Sequence, residues 1–232
     1  MRNAVDFQSE LLKARSKTNE VYRSMEPESH NTLRITLDGL LVRCIKQLSK
    51  KIDEPTEKIS YQISLAISFV RTHFIINDMV LEGNLIEAFT LIRKNFESAT
   101  RLNEIDKSPL TKLLRKTPNV INIFGNGGKK LYPTLSEIAH FATPRVGVLL
   151  TVNSADDGRF GPSLYPAFNV DTFACYDRHA FVSIYFCFWL IEFLKKLYKD
   201  DYDSTNDEAT FYIMLSQAEE CGVIEIEKEE KH

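Results

Sequence analysis

One run constrains this chain more than any other. Ala180–Ile191 is the longest apolar stretch, twelve residues closed by Glu192. A bilayer span needs about 20 apolar residues, so this run is too short to cross a membrane. It lies in the most aromatic part of the chain, among Phe173, Tyr176, Phe181, Tyr185, Phe186, Phe188, Trp189, Phe193 and Tyr198. A helix apolar nearly all round needs neighbours on several sides. The rest of the chain has to supply them, which makes this the central helix of a bundle.

The surrounding helices are legible by period. Leu33, Leu37, Leu40, Leu41, Cys44, Ile45 and Leu48 recur at spacings of three and four, the clearest helical period in the sequence. A more polar helix precedes it over residues 5–23, ended by Pro27. Residues 58–81 form a long, largely buried helix closed by Gly83-Asn84, and 85–105 form a fourth with Ile86, Phe89, Ile92, Phe96, Ala99 and Leu102 inward. The connections are short, as between antiparallel neighbours.

The middle is irregular. Ser108-Pro109 opens a short helix through Arg115, and Gly125-Asn126-Gly127-Gly128 is expected to be a flexible turn. A helix begins near Leu135 behind the capping box Thr134-Leu135-Ser136-Glu137 and stops before Pro144. Residues 146–152 and 163–170 are expected to pair as a small hairpin, although Pro162 and Pro166 favour irregular structure. A last helix over 207–221 stops at Gly222. The expected fold is therefore mainly α: a single domain over 1–224 of six to seven helices, a small irregular or β-hairpin insertion near 144–170, and a disordered acidic tail over 225–232.

With 44% hydrophobic and 26% charged residues, the composition is that of a globular chain. Cys44, Cys175, Cys187 and Cys221 are widely spaced, without zinc-ligand spacing. They are expected to be reduced, buried thiols, and the N-terminus has no apolar core of a secretory signal, so the expected setting is cytoplasmic. Charge is uneven. Residues 93–130 carry nine Lys/Arg against three carboxylates, and residues 200–232 carry eleven carboxylates against two lysines. The basic segment could face an anionic partner, and the acidic end could dock on a second subunit.

Few motifs carry chemistry. The Gly125–Lys130 segment lacks the spaced glycines and Lys-Ser/Thr of a phosphate loop. Glu137-x-x-His140 has di-iron spacing but no second copy, so neither metal nor cofactor is expected. Cys and Ser nucleophile motifs are absent. His73 reads as a satisfied core histidine. Arg93, Glu97 and Arg101 fall at successive i,i+4 steps, and such an Arg–Glu pair can hold a histidine from a neighbouring helix. His140 is the candidate partner, flanked by Ser136, Glu137 and Arg145.

The helix with Arg93-x-x-x-Glu97, a linker, and a helix ending Ile138-Ala139-His140 together resemble the HEPN-like and abortive-infection helical proteins of bacteria. The likeness covers residues 91–147, about a quarter of the chain. Active members of that family are ribonucleases with Arg-x(4–6)-His on one helix, so the resemblance implies a defence-related, RNA-contacting protein. His140 matches the histidine, but Leu135 stands at the arginine position and cannot replace a guanidinium. The resemblance therefore implies a non-enzymatic binding or regulatory module, with Arg93, Glu97, Arg101, Ser136, Glu137, His140 and Arg145 contacting RNA, a nucleotide or an acidic partner. Two alternatives stand beside it: a metal-independent ribonuclease using His140 with Arg93 or Arg145, and an oligomeric scaffold.

Overall fold

The computed structural model of the chain describes residues 2–52, 54–120, 124–153 and 160–225. Within them the protein is a mainly α helical bundle. Its helices are α1 (Arg2–Met25), α2 (Glu28–Gln47), α3 (Glu57–Leu81), α4 (Leu85–Lys107), α5 (Leu110–Leu113), α6 (Gly125–Ala139), α7 (Thr172–Tyr198) and α8 (Thr205–Glu220).

α7 is the centre. It packs against α2, α3, α4 and α8, as a helix apolar on most sides requires. The α3 contact is aromatic: Phe186 stacks on Phe69 with ring centroids 3.8 Å apart. Trp189 continues the row, stacked on Phe193 at 4.9 Å, and its Nε1 donates to Asp106 Oδ2 of α4 at 2.9 Å. The enclosure is incomplete, however. Phe188 is 56% exposed and Tyr185 37%, so among the described residues one side of α7 has no helix over it.

The surrounding helices begin and end for local reasons. Pro27 stops α1 and caps α2, accepting from Asn31 N at 3.0 Å. On α2 the stripe Leu33, Leu37, Leu40, Leu41 and Cys44 is buried. Thr56 caps α3, its side chain accepting from Ile59 N at 3.2 Å. Gly83 closes α3 at φ +79°, where an added Cβ would come within 2.8 Å of the Ala167 carbonyl oxygen, so the turn has room only for glycine. α3 is the one described helix long and apolar enough to cross a bilayer; in the fold it packs on α4 and α7, with Ile67 and Ile75 exposed on its outer side. Arg43 of α2 pairs with Asp207, which also accepts from Tyr202 OH at 2.5 Å, tying α8 to α2. α8 ends before Gly222 at φ +72°.

The middle departs most from expectation. Gly125–Gly128 is not a flexible turn but the first turn of α6, and Thr134 lies inside that helix with its hydroxyl donating to Lys130 O at 3.5 Å. The expected capping box is therefore not formed. Three glycines of that turn and an interior Pro133 oppose the helix, and burial of Gly128, Leu135 and Ile138 against the core overrides them. Residues 144–150 form a 3-10 helix that takes in most of the strand expected over 146–152. The strands are shorter and displaced: Thr151–Asn153 pairs antiparallel with Phe160–Pro162, Thr151 opposite Pro162. Residues 163–170 form no strand. Residues 226–232, most of the expected tail, lie outside the described residues.

Candidate functional site

Three of the residues singled out from sequence meet on the surface between α4 and α6. Arg93 Nε donates to Glu97 Oε1 at 3.0 Å, one helical turn on. Its Nη1 lies 2.6 Å from His140 Nε2 at the C-terminal end of α6. Since a guanidinium only donates, Nε2 accepts and the ring carries its proton on Nδ1. A fourth residue, Tyr132, closes the cluster. It accepts from Arg93 Nη2 at 3.3 Å and donates to Glu97 Oε1 at 2.7 Å, with the guanidinium 5.4 Å from its ring centroid.

The electrostatics follow. Burial pulls the Arg93 guanidinium down, but Tyr132 and Glu97 outweigh it and hold its proton more tightly than usual. Burial and the Glu97 carboxylate both raise the Tyr132 phenol, which therefore stays protonated as a donor. Arg93 and Glu97 are partly buried, with side chains 21% and 27% exposed, and His140 is exposed. Each guanidinium nitrogen makes one such contact, using three of its five N–H groups. The arrangement clamps α4 to α6 and fixes the orientation of Arg93.

Local backbone explains why His140 points there. α6 ends in a reversal in which Phe141 N bonds to Ile138 O at 3.2 Å and Ala142 N to Glu137 O at 3.0 Å. This is the bonding of a Schellman end, with Phe141 at φ +49° where glycine is usual. The remaining candidates separate from the cluster. Arg101 is buried and committed to Glu104 at 3.0 Å and to the Lys116 carbonyl, so it holds the chain after α5 and is not a free binding group. Glu137 accepts from the Thr143 hydroxyl. Ser136 is half-buried and contributes its carbonyl to His140 N at 3.1 Å. Arg145 is exposed on the 3-10 helix and makes no hydrogen bond or ion pair among the described residues.

A groove lies elsewhere. On the open side of α7, between α6, α8 and the segment after α8, a groove of about 640 Å³ is lined by Phe124, Lys130, Phe181, Tyr185, Phe188 and Ile224, among others. Its walls are aromatic: Phe124 lies 4.6 Å from Tyr185 and 5.9 Å from Phe181 by ring centroids. A side recess of about 220 Å³ shares Phe181, Gly127 and Val223 with it and adds Arg178. Neither Lys130 nor Arg178 forms an ion pair among the described residues, and Arg178 rests over the Phe89 ring at 5.2 Å. Glu225 is the carboxylate on the groove wall, while Asp177 in the recess is tied to His30 at 3.1 Å.

The sequence pointed to the clamp and missed the groove. Tyr132 stands ahead of the helix expected from Thr134 onward, and only the earlier start of α6 brings it onto the same helix. Phe181, Tyr185 and Phe188 read as core, since nothing in the period says which side of an all-apolar helix stays bare. Among the described residues no group of His, Cys, Asp and Glu is placed to hold a metal. No family model, no curated protein and no solved structure matches the chain.

Proposed function

We propose that the chain is a non-catalytic helical binding module of the HEPN-like sort that takes the base-and-phosphate unit of RNA or of a nucleotide in the α6–α7–α8 groove. The observation that carries this reading is the pairing of aromatic walls with two cations, Lys130 and Arg178, that form no ion pair among the described residues. Bases stack on aromatic faces whatever their identity, at about 1–3 kcal/mol each, while Lys and Arg meet the backbone. The free thiols of Cys44, Cys175, Cys187 and Cys221 suit a reducing cytoplasm. The HEPN-like resemblance over residues 91–147 adds a role in bacterial defence.

The test is fluorescence anisotropy with a short single-stranded RNA and with a labelled adenine nucleotide across a salt series. Binding should weaken with salt. Lys130→Ala and Arg178→Ala should each flatten the RNA slope by about 0.7, and Tyr185→Ala should lower affinity at every salt concentration. The absence of affinity for both probes at low salt refutes the reading.

One contact favours ribonuclease chemistry instead: the exposed His140 beside Arg93. Cleavage needs a guanidinium that can turn to the scissile phosphate, and this one is held by three protein partners, including His140 itself. We expect no RNA cleavage by the parent protein or by His140→Ala; cleavage abolished by that substitution would restore the enzymatic alternative.

A further inference from the structure

A second polar cluster lies inside the bundle, where α2, α3 and α7 meet. His73 is wholly buried and satisfied, its Nε2 2.7 Å from Asp38 Oδ1 and its Nδ1 2.9 Å from Ser183 Oγ. Asn77 Nδ2 donates to both Asp38 oxygens at 3.1 and 3.2 Å. The order Asp–His–Ser is that of a nucleophile relay, but Ser183 is fully buried and lines none of the cavities among the described residues. Catalysis there has no route for a substrate.

His179, one turn before Ser183, is the anomaly. It is wholly buried, and neither ring nitrogen has a hydrogen-bond partner. Its ring sits 4.3 Å from that of His73, tilted by 37°. The groups facing it are His73 from α3, with Asp38 of α2 beyond, and Tyr176 on α7 itself at 6.4 Å. Behind Tyr176 come Tyr22 of α1, Glu26 of the α1–α2 turn and Arg34 of α2. No carboxylate touches His179. Burial first, and the neighbouring His73 second, hold its proton affinity well below that of an ordinary imidazole.

We propose that His179, enclosed beside His73, is an acid-operated release of the α3–α7 interface, closed while the His179 ring is neutral and opened when it is charged. A proton on His179 buries a charge that no carboxylate touches, eased only by the His73 backbone. The rings then separate, and α7 leaves α3. In the closed form His179 binds a proton only well below its unfolded value of about 6.5, so the open form holds one more proton in that interval. The open population therefore rises about tenfold per pH unit below about pH 6.5. The stabilisation is complete above that pH and is lost on acidification.

Two measurements on the full chain test this. Imidazole NMR between pH 7.5 and 4.5 should show His179 uncharged for as long as the closed form persists. Urea unfolding, followed by the single Trp189 on the α7 row, should take up one proton fewer in His179→Phe than in the parent between pH 6.5 and 5, so that the variant loses about tenfold less in folding equilibrium per pH unit. A His179 ring that titrates near its ordinary value with Trp189 emission unchanged overturns the proposal, as does a variant whose pH profile parallels the parent's. The NMR titration needs no substitution, so it decides the matter even where the variant does not fold.

Discussion

Adjacent glycines at the start of α6 should respond to the same substitution with opposite sign. Alanine is favoured over glycine inside a helix by about 1 kcal/mol, and both Gly127 and Gly128 lie within α6. At Gly128 the added Cβ would fall inside 3.0 Å of Phe124 Cβ and 3.2 Å from Phe96 Cζ, against a carbon–carbon optimum of about 3.5–4.0 Å. Phe124 Cβ is fixed to the backbone, so relief means moving the ring off Phe96, on which it stacks at 4.0 Å. Overpacking of this kind costs about 1–3 kcal/mol, and partly exposing Phe124 adds about 1 more. Set against the helix gain, Gly128→Ala should lose about 2 kcal/mol, or about 4–8 °C in Tm for a chain of this size. At Gly127 the nearest atom is Phe181 Cζ at 3.1 Å, the far end of a half-buried ring that can yield a few tenths of an ångström. Gly127→Ala should therefore gain about 0.5 kcal/mol. Urea midpoints at unchanged m-value measure both. A Gly128→Ala protein as stable as the parent would refute the packing argument.

Three further outcomes follow from the same geometry. Phe141 is exposed in left-handed backbone at φ +49°, so Phe141→Gly should raise stability by about 1 kcal/mol, read as a higher urea midpoint; a lower midpoint would show that the ring is needed for packing. Tyr132→Phe keeps the ring against Phe96 at 5.5 Å but removes the hydroxyl's hydrogen bonds to Arg93 and Glu97. It should cost about 1 kcal/mol, and the loss should vanish in an Arg93→Ala background if the clamp acts as one network. Burial pushes the Cys44 thiol up to about 12 and raises Cys175 and Cys187 further, whereas Cys221 is only half-buried. A disulfide reagent at pH 7.5 should thus titrate Cys221 alone in the native protein and all four cysteines after denaturation; rapid reaction at a second native thiol would contradict the burial.

The order and limits of α1–α4, α7 and α8 were readable in the chain because periodic leucines, Pro27, Gly83 and Gly222 act locally. Arg93, Glu97 and His140 were legible as candidates, but not their meeting. An i,i+4 pair beside a buried stripe can hold an outside histidine, and His140 was the one in polar surroundings, yet only the packing of α6 on α4 brings them together. α6 was hidden by its own composition: Gly125, Gly127, Gly128 and Pro133 all oppose a helix, and the burial that overrides them is a property of α4 and α7. The same holds for Arg101, which looks like a surface cation in sequence and is buried against the Lys116 carbonyl.

Local chemistry, then, determined the helices, their ends and the residues able to form a charged clamp, since propensity, capping and period act over a few neighbours. Tertiary packing alone decided which side of α7 stays uncovered, that Lys130 and Arg178 border that side, and that His179 is enclosed beside His73 without a hydrogen-bond partner. Those outcomes depend on which distant surfaces fill the space round a helix, and an all-apolar helix encodes no preferred side.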